Sequence, residues 1–258
     1  MLTGGTTLRD GCDGSPSGPD VTNPQLQTNL LLMAGPDSVF NAPFKDPCVY
    51  VLTDAIDFTV DGRSPRLLQR IEALVAGGAG LIQLRDKRLS DRQLVAAGRA
   101  IKNWLTGTGT RLIINDRVDL AMACDADGVH LGQDDLPPPA ARQILGEGKW
   151  IGYSTHSLEQ ARAAVQWGVD YIGVGPVFPS ATKAFDAFVG LELLEQVARE
   201  IRLPAFAIGG IGLSNVQQVV SAGFRRIAVS SAVIGQACPQ QAVADLVAEL
   251  GKQHLKHQ

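Results

Sequence analysis

The residues of this chain that could do chemistry stand just after short apolar runs. Gln83-Leu84-Arg85-Asp86-Lys87 closes one run, Asn115-Asp116-Arg117 the next, and His130-Leu131-Gly132-Gln133-Asp134-Asp135 the one after it. Then come Tyr153-Ser154-Thr155-His156, a loop carrying Ser180, Thr182 and Lys183, the pair Gly209-Gly210, and Ser230-Ser231. Arg85 and Lys87 alternate along an extended segment, so both can face one side. With Lys183 they offer three cations that could converge on a polyanion. Asp116 and Asp135 are hard oxygen ligands, and Mg2+ takes one or two carboxylates together with phosphate oxygens and water. Zinc fits poorly, because His130, His156 and Cys124 do not cluster in the sequence. No Ser-His-Asp order or activated Cys points to covalent catalysis. The residues also allow plainer roles. Asp116 could pair with Arg117 or cap a helix, and Asp135 could cap the turn before Pro137-Pro138-Pro139. His130 is expected to point into a packed layer, and His156 serves equally as cap or as catalyst.

Stepping outward, the elements that must position these groups are legible as alternating patterns. Eight apolar runs read as strands: 48–53, 80–85, 111–114, 128–131, 150–152, 171–174, 205–208 and 226–229. Continuous apolar runs suit strands buried on both faces of a parallel sheet. Between them, Leu67, Leu68, Ile71, Leu74 and Val75 form one helical stripe, and Leu94, Val95, Ile101, Trp104 and Leu105 another. Ser64-Pro65 and Ser90-Asp91 are start signals, and Gly77-Gly78, Gly168 and Gly223 are stops. Eight strand-then-helix units predict a (β/α)8 TIM barrel in a single domain, whose site lies at the C-terminal strand ends. A doubly wound open sheet is the alternative, but neither G-x-G-x-x-G nor G-x-x-x-x-G-K-[ST] is present. In such a barrel the loops after strands seven and eight commonly cradle phosphate, which suits Gly209-Gly210 and Ser230-Ser231 followed by a short helix, although the glycine pair could equally be only a tight turn. The residues therefore suggest a metal-bound di- or triphosphate near strands two to six and a monophosphate near strands seven and eight.

The 258 residues carry 23 Lys+Arg against 26 Asp+Glu, and only 5% are aromatic, which disfavours nucleic acid as a partner. No apolar run approaches the ~18–20 residues of a membrane span. Four scattered cysteines, Cys12, Cys48, Cys124 and Cys238, form neither a disulfide framework nor a zinc motif. The first residues do not read as a secretory leader, so a cytoplasmic location is expected. Residues 1–46, rich in Gly, Pro, Ser, Thr, Asn and Asp, are expected to be a disordered extension with a short helix near 25–33, ahead of a barrel over 47–258.

The motifs together resemble the thiamine-phosphate synthase family. They are Y-V-L-T-D at 50–54, Q-L-R-D-K at 83–87, I-I-N-D-R-V-D-L-A at 113–121, A-D-G-V-H-L-G-Q-D-D-L-P at 126–137, G-Y-S-T-H-S at 152–157, D-Y-I-G-V-G-P-V-F-P-S-A-T-K at 170–183 and A-I-G-G-I at 207–211. The resemblance implies an Mg2+-dependent alkyl transfer in thiamine biosynthesis. A pyrimidine diphosphate would be joined to a thiazole monophosphate, releasing pyrophosphate through a dissociative path. It implies that Gln83, Arg85 and Lys87 hold the pyrimidine diphosphate, with Gln83 nearer the ring, and that Asn115, Ser154 and Lys183 complete the pyrophosphate clamp. Asp116 and Asp135 would hold Mg2+. Ser180 and Thr182 would touch the thiazole phosphate from one rim, and Gly210, Ser230 and Ser231 from the other. Ser180 stands where the family usually has Thr, and Ser230 where it often has an apolar residue, leaving that contact to the backbone N–H. The small heterocycles are the expected partners, and a homo-oligomer is compatible with the pattern. A thiazole tautomerase shares the barrel and the S-x-H-S segment but uses His as acid and base. A non-catalytic regulator on the same scaffold is the third reading.

Overall fold

The computed structural model describes residues 44–53, 65–179 and 188–252. Eight strands run in chain order: β1 (Cys48–Leu52), β2 (Leu81–Leu84), β3 (Arg111–Asn115), β4 (Gly128–Leu131), β5 (Trp150–Thr155), β6 (Tyr171–Val174), β7 (Ala205–Ile208) and β8 (Arg226–Val229). The helices are α1 (Pro65–Ala76), α2 (Asp91–Leu105), α3 (Val118–Ala123), α4 (Pro138–Leu145), α5 (Leu158–Gln166), α6 (Gly190–Glu200), α7 (Val216–Ser221), α8 (Ser231–Ile234) and α9 (Pro239–Gly251). Every strand is parallel to its neighbour, and β1 pairs with β8 to close the barrel, with Tyr50 opposite Ala228. The closed (β/α)8 barrel is therefore the fold, and the open sheet is excluded.

Alternation along the strands creates two cores. Val49, Val51, Ile82, Leu84, Leu112, Ile114, Val129 and Leu131 point outward against the helices. Leu67, Ile71 and Leu74 of α1 and Ala97, Ile101 and Leu105 of α2 cover them, which is why the helical stripes have the period they have. Cys48, Tyr50, Leu81, Ile113, Tyr171, Phe206 and Ala228 point inward and fill the barrel. The α2 start is a full capping box: the Ser90 hydroxyl accepts from Gln93 N–H, and the Gln93 side chain accepts from Ser90 N–H. Among the described residues, no helix is long and apolar enough to cross a membrane.

One sequence expectation needs correcting. Strand β5 continues three residues past the apolar run, because Tyr153 and Thr155 face the helices while Ser154 faces the interior. The polar Thr155 is accommodated there by donating its hydroxyl to Gly173 O at 3.0 Å. Ahead of β1, residues just before the expected start of the barrel already touch it. Phe44 is buried in the barrel interior, edge-on to Trp150, Tyr171 and Phe206 at centroid distances of 4.7, 5.1 and 5.4 Å. Asp46 reaches Arg225 and Arg226 at 3.6 and 3.4 Å. The rest of the expected extension, including the short helix near 25–33, lies outside the described residues. Edge-on aromatic pairs are worth about 0.5–1.5 kcal/mol each. Phe44→Leu, which keeps most of the volume but loses the ring edges, is expected to cost about 1 kcal/mol and lower Tm by about 2–4 °C in calorimetry. An unchanged Tm would show that Phe44 does not close the barrel floor.

Candidate active site

The C-terminal ends of the strands surround a cavity of about 400 Å³, within the usual range for small-molecule sites. Its wall brings together Gln83, Arg85, Lys87, Asn115, Asp116, Asp135, Ser154, Gly210, Ser230 and Ser231. Ten of the thirteen residues singled out by the sequence thus meet at one mouth. The other three, Ser180, Thr182 and Lys183, lie outside the described residues.

Each wall has a local cause. Strand β2 ends at Leu84, and the chain stays extended enough for Arg85 and Lys87 to reach the same cavity. Asp86 between them turns back into the protein, where it accepts from Arg88 at 2.6 Å. Asn115 is the last residue of β3. Asp116 follows with φ 61°, a left-handed conformation that Asp and Asn tolerate better than most residues. That twist turns its carboxyl toward the mouth. Arg117 does not claim it, because its guanidinium is committed to Asp91 at 3.0 Å and Asp119 at 2.6 Å. Asp135 is not a helix cap either. Its Oδ2 accepts from Gly132 N–H at 2.6 Å, and α4 begins after Pro137 with no side-chain cap.

The two carboxyls come close enough to share a hydrogen bond. Burial, and then the neighbouring Asp135, push Asp116 up to about 6, against the opposing influence of Asn115 and Arg85. Two acids that cannot comfortably ionise together attract either a proton or a cation. No group of three or more His, Cys, Asp or Glu side chains suited to a metal occurs among the described residues. The available donors are therefore a pair of carboxylate oxygens.

The far rim is built from glycine. A Cβ on Gly209 would lie 2.7 Å from Pro176 Cα, and one on Gly210 would lie 2.3 Å from Pro179 O, and both residues have positive φ. The turns after β6 and β7 thus touch backbone to backbone, a contact that requires glycine. Asn215 holds this turn from behind, donating to Gly210 O and accepting from Gly212 N–H, both at 2.9 Å. Sequence reasoning passed over Asn215, although its Asx-type position five residues after a Gly-Gly pair was a usable signal.

It also passed over two tyrosines. Gln83 Nε2 donates to Tyr50 Oη at 2.6 Å, Tyr50 and Tyr171 hydroxyls lie 3.1 Å apart, and Tyr171 Oη lies 3.2 Å from His130 Nδ1. His130 Nε2 then lies 3.0 Å from Ser154 Oγ. His130 does point inward, as expected, but its layer is hydrogen-bonded rather than purely apolar. Burial pushes it down to about 4, with the Asp135 carboxylate pulling the other way, so the ring is neutral at pH 7. Burial likewise raises both phenols. His156 sits at the exposed rim with Nδ1 2.5 Å from Gly175 O. A carbonyl only accepts, so that nitrogen carries the hydrogen.

A family model described as thiamine monophosphate synthase matches residues 49–233, nearly the whole barrel. A thiamine-phosphate synthase of Thermosynechococcus vestitus is 40% identical over 195 residues, covering 76% of this chain and 56% of that protein. One from Halalkalibacterium halodurans is 47% identical over 173 residues, covering 66% of this chain and 82% of that protein. The solved structure of a thiamine phosphate pyrophosphorylase from Pyrococcus furiosus superposes with a TM-score of 0.69 at 33% identity, covering 79% of this chain and 95% of that one. The chain spans about half the length of several curated relatives it matches. A closed barrel whose cavity collects the expected carboxylates and cations, matched from its first strand to α8, leads to one assignment: the chain belongs to the thiamine monophosphate synthase family.

Proposed function

We propose that this chain makes thiamine phosphate in thiamine biosynthesis, transferring the 4-amino-2-methylpyrimidin-5-ylmethyl group from its diphosphate to the nitrogen of 4-methyl-5-(2-phosphoethyl)thiazole, or its carboxylated form. The single observation that carries the reading is the pair Asp116 and Asp135 facing each other on the same cavity wall as Arg85 and Lys87. That pair fits Mg2+, which accepts two carboxylates and fills its remaining positions with phosphate oxygens and water. Bound there, the ion would neutralise charge on a departing diphosphate.

The chain's own residues supply the rest. Arg85 and Lys87 meet the diphosphate as fixed positive charge, with Lys183 proposed as a third cation. Such charges act at the transition state, where negative charge accumulates on the leaving group. Asn115 and Ser154 offer neutral polar contacts to the same group. Gln83 holds its position at the base of the pyrimidine pocket through its bond to Tyr50. The thiazole phosphate would lie against Gly210, Ser230 and Ser231, with Ser180 and Thr182 proposed as further contacts to it. Holding the two heterocycles face to face converts a bimolecular encounter into a local one. Excluding water protects the cationic pyrimidine until the thiazole nitrogen attacks. The compounds are the proposed partners, and neither nucleic acid nor membrane is needed.

The test is direct. The purified chain, mixed with Mg2+ and both phosphorylated heterocycles, is expected to give thiamine phosphate and stoichiometric pyrophosphate by mass spectrometry, and to give neither when Mg2+ is chelated. Interconversion of thiazole carboxylate isomers without any coupled product would instead establish the tautomerase reading.

A further inference from the structure

The hydrogen bonds from Gln83 to Ser154 cross the barrel interior and join five strands: β2, β1, β6, β4 and β5 in spatial order along the chain of contacts. Such a row has a direction. At one end Gln83 donates its amide hydrogen, so Tyr50 Oη is an acceptor at that contact. Tyr50 is fully buried and has one hydrogen left to place. Its other hydroxyl contact among the described residues is Tyr171 Oη, at 3.1 Å. A buried hydroxyl hydrogen left without an acceptor is costly, so Tyr50 donates to Tyr171. By the same count Tyr171 donates to His130 Nδ1, which must then be the unprotonated nitrogen. A neutral imidazole with a bare Nδ1 carries its hydrogen on Nε2, and that nitrogen donates to Ser154 Oγ.

The consequence falls on Ser154. Its oxygen is already served by a donor, so its one hydrogen is free to point into the cavity. In the opposite polarity Ser154 would spend that hydrogen on His130 and present only lone pairs to an anion. We propose that Gln83, acting through Tyr50, Tyr171 and His130, orients the Ser154 hydroxyl as a hydrogen-bond donor toward the leaving diphosphate. This rests on the function proposed above. Tyr50, Tyr171 and His130 are positioning residues: none has to touch the substrate, and their effect is exerted through Ser154. Preset donors aimed at developing charge are the form of stabilisation that needs no rearrangement as the bond breaks.

Two measurements test it. In the full chain labelled with 15N-histidine, His130, identified by the resonances lost in His130→Asn, is expected to show a pyridine-type Nδ1 and a protonated Nε2 without any substrate present. The second is a double-mutant cycle. Tyr171→Phe keeps the ring in place and is expected to lower kcat about tenfold, with KM for the diphosphate little changed. In a Ser154→Ala background the same substitution is expected to cost nothing further, because the hydroxyl it orients is gone. A protonated Nδ1 overturns the proposal. So does a Tyr171→Phe loss of equal size with or without Ser154, which would mark Tyr171 as merely structural. A wild-type chain that forms no thiamine phosphate would remove the proposed function and the target of the hydroxyl, while the ring-nitrogen spectra would still decide the polarity, so the two failures are told apart.

Discussion

Asp116→Asn is expected to lower turnover by about 10²–10³-fold while raising the melting temperature of the metal-free protein. The two effects have one origin. Burial and the Asp135 carboxyl raise Asp116 from its ordinary 3.8 to about 6. An acid raised in this way binds its proton more tightly in the folded chain than in the unfolded one. Its stabilising contribution is therefore complete below about 3.8 and is lost as the pH climbs through about 6. At neutral pH the metal-free site holds two carboxylates that repel each other. Asn at 116 removes that repulsion, keeps nearly the same shape, and tolerates the left-handed φ of 61° as well as Asp does. Because Asp116 is only partly buried, solvent screens much of the effect, and a gain of about 1 kcal/mol, or about 2–4 °C, is the expected scale. The wild type should gain more in Tm from Mg2+ at about pH 7.5 than at about pH 5, where protons compete for the same oxygens, and Asp116→Asn should gain little at either. Calorimetry at the two pH values, with and without Mg2+, reads all of this. Near-wild-type turnover in the variant would remove Asp116 from the proposed metal site.

The second large effect comes from a residue with no side chain. A Cβ on Gly152 would lie 2.1 Å from Tyr171 Cζ, 2.4 Å from its hydroxyl oxygen and 2.5 Å from His130 Nδ1. Tyr171 cannot retreat, because Phe44, Tyr50 and Phe206 pack edge-on around it at 5.1, 6.0 and 5.5 Å. Overpacking of a filled core costs about 1–3 kcal/mol, and this site is at the upper end. Gly152→Ala is therefore expected to lower Tm by about 6–12 °C and to cut activity with it, since the displaced ring breaks contact with His130. Gly148→Ala is the control: nothing lies within 4 Å of its Cβ position, so both Tm and turnover should hold. A Gly152→Ala protein that melts with the wild type would show that the barrel interior is looser than these distances imply.

What the sequence could determine by itself was whatever depends on neighbours along the chain. A short continuous apolar run marks each strand, a period near 3.6 marks the helices, and Ser90-Asp91 marks a start. Residues just beyond strands necessarily share one rim of a parallel barrel, so Arg85, Lys87, Asp116, Asp135 and Ser154 were legible as a group before any coordinates. The end of β5 was less so, because Ser154 and Thr155 read as loop until β6 pairs with them, Ser154 opposite Gly173 and Thr155 opposite Val174.

Which partner each polar group takes was decided only by the tertiary structure. Arg117 stands beside Asp116 in the chain yet bonds Asp91, twenty-six positions away, and this leaves Asp116 to the cavity and to Asp135. Tyr50 and Tyr171 are separated by 121 positions and meet because closure of the sheet turns every inward-facing residue toward a common axis. Their spacing in sequence carries no trace of that meeting. Periodicity fixes which face a side chain takes, but a hydrogen bond across the barrel depends on strand register and closure, which are set by the packing of all eight strands at once.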